Sequence, residues 1–254
     1  MQRWRAIGLA SLWACGGSSD GFAPSTSVWS SSVTRVVVEV DFEDGSAPYT
    51  GSAGRIQDIW SLSQSNLDRL FAGKVVDVPH TLESMERLPA LEDEDFTVDA
   101  ILALAERYRD VEATGTRQSL YAIWLDGYFF DGERQPRVLG VALGSTGIVA
   151  MFKPVIRDME RIGTDALARF AEQATMIHEV GHAAGLVENG IPALSDHHDA
   201  ENGAHCTNRD CVMYHLNEGA ADLVDFVSRY VTTGSTLMFG PACLEDADAA
   251  NASL

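Results

Sequence analysis

Residues 164–186 constrain this chain more than any other stretch. Thr164 suits a helix N-cap, Asp165 sits where the helix dipole favours an acid, and Leu167, Ala171, Ala174, His178 and His182 recur every three or four residues. Gly185 suits the left-handed residue that ends such a helix. The pattern predicts one long helix whose core-facing stripe finishes on two imidazoles. In His178-Glu179-Val180-Gly181-His182 the two rings lie about 40° apart and roughly 6 Å apart along the axis, so both can reach one metal ion. Glu179 then points beside the metal, where a carboxylate can take a proton from a water molecule. Taken alone, five residues serve equally well as a hydrogen-bonded His pair, so the residues downstream of Gly185 decide between the readings.

The chain has 254 residues, enough for one sizeable domain, and 46% apolar content that predicts a real core. Eighteen basic against thirty-seven acidic side chains give a formal charge of -19. Such a charge repels phosphate backbones and anionic lipid headgroups, which argues against nucleic-acid partners.

The first residues read as a targeting segment. Arg3 and Arg5 precede a short apolar run over 6–14, too short to span a bilayer, and Cys15 follows Leu12-Trp13-Ala14. These residues resemble a bacterial lipoprotein signal, which implies cleavage after residue 14 and lipidation of Cys15. Residues 15–32, rich in Gly and Ser, read as a flexible tether. The expectation is an exported protein, lipid-anchored on the periplasmic or cell-surface side of a bacterial membrane or otherwise secreted. The membrane contact is through the lipid alone.

Residues 33–42 are β-branched and read as a first strand; 55–71 carry an amphipathic helix, and 74–78 a short strand. The acidic run at 92–95 reads as a solvated loop before a helix capped by Thr97. Residues 119–130, 137–143 and 147–153 are further strand candidates, the last two joined by a turn at 144–147. This order argues for an α+β fold, a mixed sheet covered by helices.

A catalytic zinc takes three protein ligands and an open position. Downstream stand Glu188, His197, His198, Asp199 and His205, then Cys206, Cys211, Met213 and Tyr214. His178-Glu179-x-x-His182-x-x-Gly185 resembles the opening of the metzincin zinc-peptidase signature, and Val212-Met213-Tyr214 resembles that clan's methionine turn. His205-Cys206-x-x-x-x-Cys211-x-Met213 is similar to the archaemetzincin continuation, and the His-to-Met spacing also to matrixins. The resemblance implies a metzincin-like zincin: a twisted mixed sheet with helices, an active-site helix and a small carboxyl-terminal subdomain below the methionine turn. On that basis 33–254 is the catalytic domain, with 33–185 its upper and 186–254 its lower subdomain. It also implies a zinc-dependent endopeptidase acting on protein or peptide substrates, with one catalytic Zn2+ and Glu179 as general base. The usual third-ligand position falls on Glu188. An insertion separates it from His205, which the spacing to Met213 favours as third ligand, with Glu188 and His197 as alternatives. Gly185 and Met213 would support the site; Tyr214 is a packing residue or an oxyanion partner.

Cys206 and Cys211 could close a small disulfide in an exported protein, and Cys243 could pair with either. The archaemetzincin resemblance implies instead a second zinc on four Cys, but Gly240-Pro241-Ala242-Cys243 lacks one thiolate of the expected pair. A second structural zinc is therefore not expected. Residues 218–230 read as a helix and 245–254 as a fraying tail. The rival reading from another class is a non-catalytic or highly specialised surface binding protein on the same scaffold. Retention of Glu179 argues against it, because a purely structural metal needs no general base.

Overall fold

The structure is a computed structural model that describes residues 28–162, 164–215, 223, 226–228, 230 and 236–253. The expected signal segment, Cys15 and most of the tether lie outside these residues, as does much of the helix expected at 218–230. Val28 and Trp29, at the far end of the expected tether, are buried, and the Trp29 indole N–H donates to the Ala184 carbonyl at 2.6 Å. A tryptophan that buries its ring and satisfies its N–H is a core residue. The packed body therefore begins upstream of residue 33.

Among the described residues, nine strands and the helices around them make a mixed α+β fold. The main sheet holds β1 (Arg35–Glu43), β2 (Val75–Asp77), β3 (Glu86–Leu88), β5 (Arg117–Leu125), β8 (Gly140–Ala142) and β9 (Ile148–Phe152), in the order β2-β1-β5-β9-β8. All its pairings are parallel except β8 with β9, and β3 pairs with β1 further along the strand than β2 does. The central strand β5 is buried from Ser119 to Leu125, the continuous apolar run expected of a strand covered on both faces. A second sheet joins β4 (Asp95–Phe96), β6 (Tyr128–Asp131) and β7 (Glu133–Gln135).

The single strand expected over 119–130 is in fact two. A Cβ at Gly127 would lie 2.4 Å from the Glu94 carbonyl oxygen, so the backbones touch there and the chain leaves the main sheet to pair with β4. Of 137–143, only Gly140–Ala142 enters the sheet.

Helix α1 (Ser61–Leu70) lies within the stretch expected to hold a helix, and α2 (Val98–Tyr108) is capped by Thr97, whose hydroxyl accepts from Ala100 N at 3.2 Å. Helix α3 (Lys153–Ile162), which starts directly at the end of β9, was not expected. Helix α4 (Asp165–Ala183) begins at Thr164, whose hydroxyl accepts from Leu167 N at 3.3 Å, and packs on α1, α3, β8 and β9. The tail expected to fray is instead α5 (Pro241–Ser253), which buries Cys243, Asp246, Ala247 and Ala250. Arg69 on α1 pairs with both carboxylate oxygens of Asp248, at 2.7 and 2.8 Å. Among the described residues no helix is long and apolar enough to cross a membrane.

Polar contacts also lie inside this frame. Tyr121 on β5 donates to Asp41 on β1 at 2.6 Å, both residues being buried. Lys153 and Glu172 form an ion pair at 2.5 Å with almost no exposure, and Glu172 also accepts from Tyr49 N at 2.6 Å.

Candidate metal centre

Helix α4 is buried along most of its length, and its last two turns carry His178, Glu179 and His182. His178 and Glu179 are buried while His182 is partly exposed, so this end of the helix opens towards solvent at one ring. Across from it runs β8. A Cβ at Gly140 would lie 3.1 Å from Glu179 Cγ and 3.0 Å from Thr175 Cγ2, which places the backbone of this strand directly against the Glu179 stem.

The chain turns sharply after α4. Gly185 has φ 89°, as the left-handed helix end requires, and Val187 and Glu188 follow with φ 56° and 60°. Left-handed backbone at ordinary residues costs about 1–2 kcal/mol each and persists only where packing enforces it. The turn sends Glu188 away from the helix, and its carboxylate lies 3.0 Å from His198 Nδ1. The loop then returns His205 to the helix end. Its ring centroid lies 5.4 Å from that of His178 and 4.9 Å from that of His182. One donor nitrogen from each of the three imidazoles falls within 4.8 Å of the others. Of the three candidates for the third position, the structure brings His205 to the helical pair and sends Glu188 and His197 elsewhere.

The donor set fits zinc. His178 Nδ1 is 2.7 Å from the Val212 carbonyl and His205 Nδ1 is 2.6 Å from the Asn202 carbonyl. A carbonyl only accepts, so each Nδ1 carries the proton and each Nε2 keeps its lone pair for a metal. His178 Nε2 and His182 Nε2 are 3.0 Å apart, close to the roughly 3.3 Å that tetrahedral coordination at about 2.0 Å imposes.

Met213 is buried beneath the helix, beside Gly181. The Tyr214 ring packs 4.5 Å from that of His215, whose Nδ1 lies 3.2 Å from Asp199 Oδ2. Asp199 N donates to the His205 carbonyl at 2.7 Å, so this acid helps hold the loop. His215, Asn202 and Asp246 were not singled out in the sequence. The position of His215, two residues after Met213, was the available signal; the other two act through contacts that spacing does not reveal.

Cys206, Cys211 and Cys243 are buried and no disulfide joins them, so neither the possible Cys206–Cys211 bridge nor one from Cys243 is made. Hydrogen bonds with the Cys211 and Cys243 thiols hold Cys206 far below the ordinary thiol range. His197, one alternative for the third ligand, lies with them: its donor nitrogen and the sulfurs of Cys206 and Cys243 are within 4.8 Å of one another.

No family model and no curated protein matches the chain. Among solved structures, a zinc-dependent peptidase from Methanocorpusculum labreanum aligns at 14% identity with a TM-score of 0.45, over 83% of this chain and 99% of that one. The reading of the site rests on its own geometry.

Proposed function

We propose that the chain is a zinc-dependent endopeptidase of metzincin type, with His178, His182 and His205 as metal ligands and Glu179 as general base. The observation that carries this reading is the convergence of the three imidazoles beside a buried glutamate on one helix. A purely structural site would close its coordination sphere, whereas three protein donors leave a fourth position for chemistry.

Bound Zn2+ would polarise the scissile carbonyl and lower the pKa of the attacking water. Glu179 takes the proton of that water and passes it to the leaving amine, a role served by its buried place between the two helical ligands. His178 and His205 are held in register by the Val212 and Asn202 carbonyls. Strand β8 ends the main sheet, so an extended peptide can pair with its outer edge and be carried past Glu179. Tyr214, beside His215, is the candidate to stabilise the developing oxyanion. The amino-terminal reading adds that the peptidase is exported and held to a bacterial membrane by a lipid on Cys15.

The test is metal analysis joined to peptide-library cleavage, with Glu179→Gln alongside. We expect zinc in both proteins, cleavage by the intact one, and a loss of at least about 10²-fold in the variant. Zinc without cleavage in the intact protein would favour the binding-protein reading.

A further inference from the structure

We infer that Gly140 is a positioning residue for the general base: the missing side chain at this place on β8 seats the strand's backbone against the Glu179 stem and sets where the carboxylate stands. The inference rests on the reading of Glu179 as general base.

A glycine inside a strand weakens it, since it adds no side chain to the packing and gives up more backbone freedom on folding. Backbone conformation does not demand one here, because Gly140 does not have a positive φ. What demands it is space. A Cβ at Gly140 would lie 3.0 Å from Met151 Sδ, 3.0 Å from Thr175 Cγ2 and 3.1 Å from Glu179 Cγ. Ordinary van der Waals contact begins at 3.4 Å, so these neighbours would have to give by a few tenths of an ångström.

The three neighbours differ in how far they can give. Met151, opposite Gly140 in the antiparallel pair, has an unbranched stem that adapts to its surroundings. Thr175 is β-branched and held to few rotamers on a helix, so its methyl stays in place. Its hydroxyl oxygen is buried without a hydrogen-bond partner among the described residues, so Thr175 acts here through shape rather than polarity. The crowding therefore falls on Glu179, one turn further along the same face of α4.

Glu179 and Gly181 are about 200° apart around the helix. The last turns of α4 are thus held on one side by the β8 backbone at Gly140 and on the other by the Met213 side chain at Gly181. Among the described residues β8 has β9 as its one partner in the sheet, and its other edge is where an extended peptide would pair. One close contact of the strand then fixes the substrate and the base relative to each other.

The experiment uses the full chain loaded with zinc and a fluorogenic peptide that it cleaves, with Glu179→Gln assayed alongside. We expect Gly140→Ala to keep its zinc and its KM and to lose about tenfold in kcat, against the roughly 10²-fold that a misplacement of about 1 Å costs. Gly140→Ala/Thr175→Ser, which takes away the methyl that cannot move, should recover most of the loss. Gly140→Ala/Thr175→Val, which keeps that methyl and removes the hydroxyl, should recover none. Urea denaturation of the zinc-free chains reads the same contact without catalysis: the fall in midpoint caused by Gly140→Ala should shrink in the Thr175→Ser background. Full kcat in Gly140→Ala beside an inactive Glu179→Gln would overturn the inference and leave the general base in place. Loss of zinc from Gly140→Ala would also overturn it, by tying the glycine to the metal ligands, and so would a rise in KM alone. Undiminished cleavage by Glu179→Gln would overturn the reading of Glu179, and the inference with it.

Discussion

Gly181 lies against Met213 so closely that a Cβ on the glycine would stand 2.4 Å from the methionine Sδ, with Phe239 Cε1 at 3.2 Å. The helix that carries His178 and His182 therefore sets its backbone at Gly181, between the two rings in sequence, against the Met213 side chain. Gly181→Ala should destabilise the protein, because overpacking by about 1–3 kcal/mol exceeds the helix propensity gained, at most about 1 kcal/mol. Urea denaturation of Gly181→Ala, Met213→Leu and the double variant measures it. Additive costs would show that the contact is not what excludes a side chain at 181.

The three candidates for the third ligand separate cleanly in space, and so should their substitutions. His205→Ala should abolish zinc uptake by the group of His178, His182 and His205, while Glu188→Ala, whose partner is His198 at 3.0 Å, should leave that uptake unchanged. His197→Ala, whose ring lies with the cysteines, should likewise leave it unchanged. Dialysis against a graded chelator, followed by metal analysis, distinguishes these outcomes. Undiminished affinity in His205→Ala would remove it from the ligand set.

Lys153→Met should destabilise the fold by about 3–5 kcal/mol, because it leaves Glu172 charged and buried without its partner. Desolvation already lowers the Lys153 pKa despite the attraction of Glu172, so the pair itself contributes little net stability. Lys153→Met/Glu172→Gln keeps the oxygen that accepts from Tyr49 N and should recover most of the loss. Chemical denaturation of the single and double variants tests this. An equal loss in both would show that the packing of the lysine stem matters more than its charge.

Asp41 makes stability depend on pH in the direction opposite to a salt-bridged carboxylate. Burial pushes its carboxyl up to about 7, outweighing the hydrogen bond from Tyr121, which acts to lower it. Between the ordinary value of 3.8 and about 7 the folded state holds a proton that the unfolded state has released. This group therefore favours the fold at low pH and loses that contribution as pH rises through the window. Asp41→Asn should flatten this part of the profile, measured as the urea midpoint from about pH 4.5 to about pH 7.5. The same fall with pH in the variant would assign it to other groups.

Much of this geometry was legible in the chain because it rests on local periodicity. Thr164, the stripe ending on His178 and His182, and the left-handed Gly185 each obey rules that act within a few residues. The return of His205 could be read only through its distance from Met213, since the loop between is shaped by strained backbone at Val187 and Glu188. Helix α5 escaped notice because it buries small residues, Cys243, Ala247 and Ala250, whose spacing is helical but whose hydrophobic contrast is weak. Helix α3 had the clearer signal, Pro154 in the first turn with Val155, Ile156 and Met159 behind it, hidden by its direct junction with β9. The meeting of His197 with Cys243 has no local signature at all.

Because α5 contributes Cys243 and Asp246 to the loop that bears His205, order of synthesis matters. A chain emerging from the ribosome exposes all three imidazoles and Glu179 well before α5 exists to brace them. The molecule thus carries the parts of its centre early and finishes their support last, so a truncated or nascent chain would possess the residues of the site without its architecture.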